Sequence, residues 1–137
     1  MIKREFEDIQ IGEKATFSKT VTEADILAFC AICGDFNPLH VDEEFAKKSM
    51  FKGRIAHGML VASLIDQTLT AIAGLGGVHI SQSVVFKAPV RIGDTITVVS
   101  ELAEKREDKR RVIINSTLTN QNGEVVITGR AEGMLPK

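Results

Sequence analysis

One helical segment, residues 57–73, constrains the fold of this chain more than any other feature of its sequence. Its seventeen residues would form a rod about 25 Å long, and the glycine-rich residues 74–77 end it. The first two turns are apolar on every side, which predicts burial all round. The one polar stripe on this helix consists of Ser63, Asp66, Gln67 and Thr70. The rest of the chain must therefore supply cover for a largely apolar helix.

Strand patterns follow this helix. Four strands are predicted over residues 78–87, 95–104, 111–119 and 124–134, after a short one at 14–19. Asn122-Gly123 indicates a two-residue hairpin, and the last strand is expected to close the sheet. This order predicts an α+β fold in a single domain, residues 1–137, with an antiparallel sheet covering the helix. Because one small sheet cannot cover an all-round apolar helix, we expect at least a homodimer.

Two shorter helices are predicted before the long one. Thr22 and the acid three residues later form a capping pattern for a helix over residues 23–32, which Gly34 ends. Asp42 is placed to cap a second helix over residues 43–48. Between them Pro38 disfavours helical geometry at the residue before it, which predicts an irregular loop over residues 35–40.

This loop carries a carboxylate, Asp35, and an imidazole, His40, five positions apart. An acid and a histidine that both reach one water form a minimal proton-transfer device. The structural alternative is an Asx-turn at Asp35 and a buried, hydrogen-bonded His40. A metal site made of Asp35, His40 and Asp42 is disfavoured because Asp42 serves better as a helix cap, so we expect no metal.

Composition excludes some classes of function. A formal net charge of −1 leaves no basic surplus for phosphate backbones, so we expect no nucleic-acid partner. Residues 1–8 lack the apolar run of a secretory signal, and the apolar run at 58–65 is too short to cross a bilayer. We therefore expect a cytoplasmic protein with no membrane partner. Cys30 and Cys33 are too few for a four-thiolate zinc site in one chain and are expected to be buried structural thiols.

The run Asp35-Phe36-Asn37-Pro38-Leu39-His40, followed by His57-Gly58-Met59, resembles the motif of (R)-specific enoyl-CoA hydratases among the MaoC-like proteins. Residues 86–94 resemble the strand and turn that follow the central helix in that family. The resemblance implies the hot-dog fold, in which an antiparallel sheet wraps a long central helix. It also implies reversible addition of water to trans-2-enoyl-CoA, giving (R)-3-hydroxyacyl-CoA, at sites at or near a dimer interface. No cofactor is implied, since coenzyme A is part of the substrate.

The resemblance and the chemistry assign roles to three residues. Asp35 and His40 jointly activate the water, without a division into base and acid. The backbone N–H of Gly58, at the start of the long helix, stabilises the enolate that forms on the thioester oxygen. Asn37 either holds the loop or contacts the substrate, and His57 either positions the thioester or orients the neighbouring loop.

Further candidates lie outside this motif. The resemblance makes Ser63 a candidate for the acyl pocket, since some members of the family carry a small hydroxyl residue in that part of the helix. A pocket-facing Asp66 would disfavour a long apolar chain, whereas an Asp66 that faces a partner or solvent would leave chain length open. Lys87 and Arg91 rank first for the phosphates of coenzyme A, ahead of Arg54 and Lys52. His79 has no identifiable partner in the sequence and is expected to be structural.

Three alternatives remain open at this stage. The first is a dehydratase of (R)-3-hydroxyacyl groups carried on acyl carrier protein, and the second is a non-catalytic acyl-CoA-binding module. A thioesterase is the third, because a fold does not fix a function. Acyl chain length, the pathway (polyhydroxyalkanoate precursor supply or another acyl-thioester route) and assembly beyond the dimer also stay open.

Overall fold

The computed structural model describes all residues from Met1 to Lys137. The helices are α1 (Glu23–Cys33), α2 (Pro38–Val41), α3 (Glu43–Ala46), α4 (Gly58–Ala62) and α5 (Ile65–Ala73). The strands are β1 (Lys14–Thr20), β2 (Val78–Phe86), β3 (Thr95–Arg106), β4 (Arg111–Thr119) and β5 (Val125–Met134). One strand, a group of helices and then four strands follow in the predicted order. None of the helices has the length and apolar character needed to cross a membrane.

All five strands form one antiparallel sheet in the order β1-β3-β4-β5-β2. The expectation that the last strand closes the sheet is wrong, because β5 lies inside it and β2 forms the edge. After β2 the chain crosses to the opposite edge, where the amide of Gly93 donates to the carbonyl of Val21, and the amide of Val21 donates to that of Asp94. These bonds place β3 beside β1 rather than beside β2.

The core lies between α5 and the concave side of the sheet. The predicted alternation in β3 is confirmed, since Ile96, Val98 and Leu102 are all fully buried. From α5, Ile65 and Ile72 are buried in the same cluster. Burying each such side chain is worth about 1.5–3 kcal/mol, so this contact supplies much of the fold's stability.

The predicted continuous helix over residues 57–73 is interrupted. The hydroxyl of Ser63 donates to the carbonyl of Leu60 at 2.6 Å. The amide of Leu64 then donates to Val61, and that of Asp66 to Ser63, which are three-residue spacings rather than helical four-residue ones. A serine that bonds the preceding turn commonly tightens or bends a helix, which explains why α4 and α5 are separate segments.

Most of the predicted caps are present in the structure. Thr22 and Asp25 form a reciprocal capping box on α1, and Gly34 ends the helix at φ +79°. Asp42 accepts the amide of Phe45, although α3 ends at Ala46, earlier than predicted.

Two local predictions near the ends of elements are wrong. The turn at Asn122-Gly123 is a three-residue loop, because Asn120 pairs with Glu124 and only Gly123 has a positive φ. Cys33 is exposed, and only Cys30 is buried. Cys33 occupies the last position of α1, where the core no longer covers the helix.

Candidate active site

The segment that carries the acid and the imidazole is more regular than predicted. Residues Pro38–Val41 form one helical turn, with the side chain of Asn37 accepting the amide of Leu39 at 3.1 Å. Proline suits the first position of a helix because its missing N–H would be unpaired there. His40 therefore lies on a short helix, and only the residues before it are irregular. This contact confirms the loop-holding role of Asn37, while contact of Asn37 with substrate stays a prediction.

Asp35 and His40 face each other across a short distance. Asp35 Oδ2 lies 3.8 Å from His40 Nε2, and the other carboxylate oxygen accepts the amide of Asn37 at 3.0 Å. The Nδ1–H of His40 donates to the carbonyl of Ile55 at 2.8 Å. Because a carbonyl can only accept, this bond leaves the lone pair on Nε2, on the side of Asp35. The carboxylate is 54% exposed and the imidazole 10%, so solvent reaches the pair from the side of Asp35.

His57 contacts both residues of this pair. Its Nε2–H donates to the backbone carbonyl of Asp35 at 3.0 Å, and its ring stacks on that of His40 with centroids 3.8 Å apart. The ring also contacts Phe29 edge-on at 4.9 Å and lies 3.6 Å from the sulfur of Cys30. Burial raises the pKa of the Cys30 thiol, which keeps the group under His57 neutral. Of the two predicted roles for His57, the contacts favour orientation of the loop.

Asp35, His40 and His57 are also residue types that can bind a metal ion. Ligand atoms of Asp35, His40 and His57 lie within 4.8 Å of one another. However, the two imidazole planes are only 26° apart and stacked, so their in-plane lone pairs cannot converge on one ion. The carbonyl of Asp35 also holds a proton on Nε2 of His57. The geometry suits proton transfer better than metal coordination.

Gly58 lies next to His57 and begins α4. Its N–H has no acceptor within the protein, as expected for the first residue of a helix. A Cβ at this position would lie 2.6 Å from the ring of Phe86, closer than real contacts allow. A side chain at this position would therefore displace the Phe86 ring, and glycine also permits close approach of a ligand.

An apolar groove of about 510 Å³ opens at Gly58. Its walls are mainly apolar and include Met50, Phe51, Met59, Phe86 and Val90. Asp66 does not line this groove, so the structure gives no support to a pocket-facing Asp66 at this site. It borders a separate small cavity and bonds Nδ1 of His79 at 3.0 Å, which is the partner of His79 that the sequence did not identify.

Comparison with known proteins places the chain in a family. The family model described as a MaoC like domain matches residues 7–124. The chain belongs to the MaoC-like family. It is 44% identical over 137 residues to the (R)-specific enoyl-CoA hydratase of Rhodospirillum rubrum, covering 99% of this chain and 94% of the relative. It is 41% identical to the 3-hydroxybutyryl-CoA dehydratase of Methylorubrum extorquens, over 96% of this chain and 84% of that one.

A solved structure gives the same result for the fold. The (R)-hydratase from A. caviae involved in PHA biosynthesis superposes with a TM-score of 0.91 at 39% identity, over 95% of this chain and 99% of that one. The hot-dog fold expected from the sequence motif is confirmed. With hydratases and dehydratases as near full-length relatives, this MaoC-like protein is an enzyme of the hydro-lyase class.

The remaining candidates, Lys87, Arg91 and Ser63, do not all lie at this site. Lys87 is exposed and lines the groove, so its proposed contact with coenzyme A stays a prediction. Arg91 instead donates to the carbonyls of Phe51 and Gly53, which fastens the loop before α4. The hydroxyl of Ser63 is occupied by Leu60, outside the groove. For Arg91 and Ser63 the contacts favour structural roles.

One contact of the site, that of His40 with the carbonyl of Ile55, could not be predicted from the sequence. This atom orients His40, yet any residue carries the same backbone group, so no motif marks it. Only the fold brings residues 55 and 40 together. Of the predicted site residues, Asp35, His40, His57 and Gly58 do lie in one place.

Proposed function

We propose that this MaoC-like protein is an (R)-specific enoyl-CoA hydratase, which adds water reversibly to trans-2-enoyl-CoA and gives (R)-3-hydroxyacyl-CoA. The observation that carries the proposal is the pairing of Asp35 Oδ2 with the lone pair of His40 Nε2 at 3.8 Å. The free amide of Gly58 follows His57, whose ring stacks on that of His40. The names of the near full-length relatives support the same reaction class.

The acid and the imidazole activate the water together. A separation of 3.8 Å is too long for a direct hydrogen bond. It suits one water molecule that donates one hydrogen bond to each group. As the oxygen of this water bonds to C3 and the C2–C3 double bond opens, one proton of the water passes to the pair. The pair then delivers a proton to C2 and returns to its starting state. The two groups lie 3.8 Å apart, so the proton is assigned to the pair and not to either group alone. Holding the water in line with C3 removes much of the entropic barrier.

The amide of Gly58 stabilises the negative charge that develops on the thioester oxygen. When water attacks C3, electron density moves to the thioester oxygen, which becomes enolate-like. A donor aimed at such an oxygen is typically worth about 3–4 kcal/mol in the barrier. The Gly58 N–H has no competing acceptor in the protein and lies at the groove, which suits it to this role. No electron leaves the substrate, so the reaction needs no redox cofactor, and coenzyme A arrives as part of the substrate.

The groove and the sheet edge complete the proposal. The apolar groove suits the acyl-thioester portion of the substrate, and Lys87 is the proposed contact for its phosphates. Strand β2 is an edge strand with exposed side chains on both faces, among them Ile80, Val85 and Phe86. An uncovered apolar edge favours association, so we propose a homodimer along β2. Supply of (R)-3-hydroxyacyl units to polyhydroxyalkanoate synthesis is the proposed use of the product.

The test measures hydration of crotonyl-CoA by the loss of absorbance at the enoyl-thioester band, with the chirality of the product checked. Substitutions Asp35→Asn and His40→Gln should each lower kcat by at least about 100-fold, since general acid–base catalysis contributes 10²–10⁴. The chain offers a comparison in its second Asp–His pair, Asp66 and His79, which borders a separate small cavity. Because His79 lies on β2, at the proposed dimer edge, turnover is compared per dimer. Asp66→Asn and His79→Gln should leave crotonyl-CoA turnover per dimer nearly unchanged.

Two results would overturn the proposal. Near-normal turnover in Asp35→Asn or His40→Gln would remove the catalytic pair, and formation of the (S)-product would remove the stereochemical assignment. Crotonyl thioesters of coenzyme A and of acyl carrier protein, compared by kcat/KM, decide between the hydratase and the carrier-linked dehydratase.

A further inference from the structure

Arg54 makes several polar contacts next to α2, the short helix that carries His40. Its Nε–H donates to the backbone carbonyl of His40 at 2.7 Å. Its two terminal nitrogens bond the two carboxylate oxygens of Glu23 on α1, at 2.8 and 2.9 Å. The Arg54 side chain is 15% exposed and that of Glu23 is 49% exposed, so solvent screens the ion pair with Glu23 more than the bond to His40. One guanidinium thus joins the first turn of α1 to the residue that carries the imidazole.

The next residue, Ile55, continues this contact. Its amide donates to the carbonyl of Leu39 at 3.1 Å, and its carbonyl accepts the Nδ1–H of His40 at 2.8 Å. Residues 54 and 55 therefore hold both the backbone and the ring of His40. The ring keeps its proton on Nδ1 only while α2 stays in register with this segment. The bond from Arg54 to the His40 carbonyl and the bond from the Ile55 amide to the Leu39 carbonyl both join the two segments.

The loop that carries Arg54 is itself held from its other side. Arg91 donates to the carbonyls of Phe51 and Gly53, just before Arg54 in the chain. Arg54 therefore extends from a loop that is fastened to the body of the protein. Its nitrogens are occupied by His40 and Glu23, which argues against its use for the phosphates of coenzyme A.

We propose that Arg54 is a positioning residue for the hydration reaction, which holds His40 with its Nε2 lone pair towards Asp35. This proposal rests on the proposed function, in which His40 is the reacting imidazole. Lysine cannot replace arginine here, because a single ammonium cannot match the planar fork that bonds Glu23 and reaches the His40 carbonyl at once. Arg54→Lys thus keeps the charge and removes the geometry.

The protein contains a matched control for this substitution. Arg110, in the turn between β3 and β4, donates from Nε to the carbonyl of Leu135 at 2.9 Å and from a terminal nitrogen to Glu7 at 2.7 Å. It joins the same two kinds of partner as Arg54 but contacts no residue of the candidate site. Arg110→Lys therefore measures the structural effect of losing such a clamp.

The experiment compares Arg54→Lys, Arg110→Lys and the unaltered protein. Steady-state hydration of crotonyl-CoA gives kcat and KM, and thermal unfolding gives Tm. Long-range ¹H–¹⁵N NMR of the histidine rings reports which nitrogen carries the proton, and the protein has only three histidines to assign. Glu23→Gln is a second variant, which removes the charge that holds the guanidinium without touching His40.

We expect Arg54→Lys to lower kcat about 10- to 100-fold with KM changed less than about twofold, because small misplacements of a reacting group have effects of this size. The His40 signals should shift away from the pure Nδ1–H form. Arg110→Lys should keep kcat within about twofold while Tm falls, and Glu23→Gln should lower kcat less than Arg54→Lys does. If Arg54→Lys does not fold, the kcat and ring signals of Glu23→Gln decide.

Two results would refute the positioning role of Arg54. One is a kcat in Arg54→Lys equal to that of Arg110→Lys, and the other is an unchanged His40 tautomer despite lost activity. Failure of the proposed function is seen separately, since His40→Gln would then retain turnover. If His40→Gln is inactive and Arg54→Lys is fully active, the positioning role of Arg54 is rejected and the proposed function stands.

Discussion

Substitution of Gly58 by alanine tests whether the glycine is required by packing at the groove. The added methyl would lie 2.6 Å from Cε1 and 2.8 Å from Cδ1 of Phe86, so the ring must move. Phe86 is 53% exposed and lines the groove, so its ring has room to turn but would turn into the binding space. The Gly58 amide itself is kept in the alanine variant. Any lost activity therefore reports on the groove and on the approach of the thioester.

The expected magnitudes follow from two opposing terms. Overpacking of a well-packed site costs about 1–3 kcal/mol, and partial exposure of Phe86 places this one near the low end. Alanine recovers up to about 1 kcal/mol of helix propensity relative to glycine. The net change in the free energy of unfolding should be about 1 kcal/mol or less, or a Tm lower by no more than about 4 °C. Activity should fall far more, by about 10- to 100-fold in kcat/KM.

A double-mutant cycle with Phe86→Ala identifies the cause. Removing the ring removes the three atoms nearest to the new methyl, so the cost of Gly58→Ala should shrink in that background. Hydration of crotonyl-CoA gives kcat/KM for the four proteins, and thermal unfolding gives Tm. If Gly58→Ala lowers Tm and activity equally in both backgrounds, the clash with Phe86 is not the reason for the glycine.

Two further predictions concern stability. Thr68→Val should lower the free energy of unfolding in urea by about 1–3 kcal/mol, because Thr68 and Ser100 are buried and their hydroxyls share a hydrogen bond at 2.7 Å. The control is Thr70→Val at an exposed position, and an equal loss of stability in both variants would contradict the reasoning. The hydrogen bond from Arg4 lowers the pKa of Glu13, so this carboxylate stabilises the fold above the ordinary pKa of a glutamate and loses that effect as pH falls through the lowered value. Glu13→Gln should therefore flatten the acid side of a Tm–pH curve, and an unchanged slope would reject the assignment.

Local patterns predicted the elements well because their causes lie within a few residues. The capping box of Thr22 and Asp25, the end of α1 at Gly34 and the cap at Asp42 depend on neighbours in the chain. The strands were predicted to within about two residues, since alternation is a local property. Where a nearby hydroxyl competed for a backbone carbonyl, as at Ser63, the predicted helix was too long.

The sequence by itself determined the α+β class, most element boundaries and the motif that places an acid and an imidazole on one short segment. Only the tertiary structure decided that β2 pairs with β5, that His57 stacks under His40, and that Ile55 and Arg54 hold the imidazole. Asp66 and His79 show the same limit, since their contact joins a helix to a sheet edge. These contacts join residues far apart in the chain, often through backbone groups that every residue shares. Their positions follow from how the whole chain packs, which no local pattern encodes.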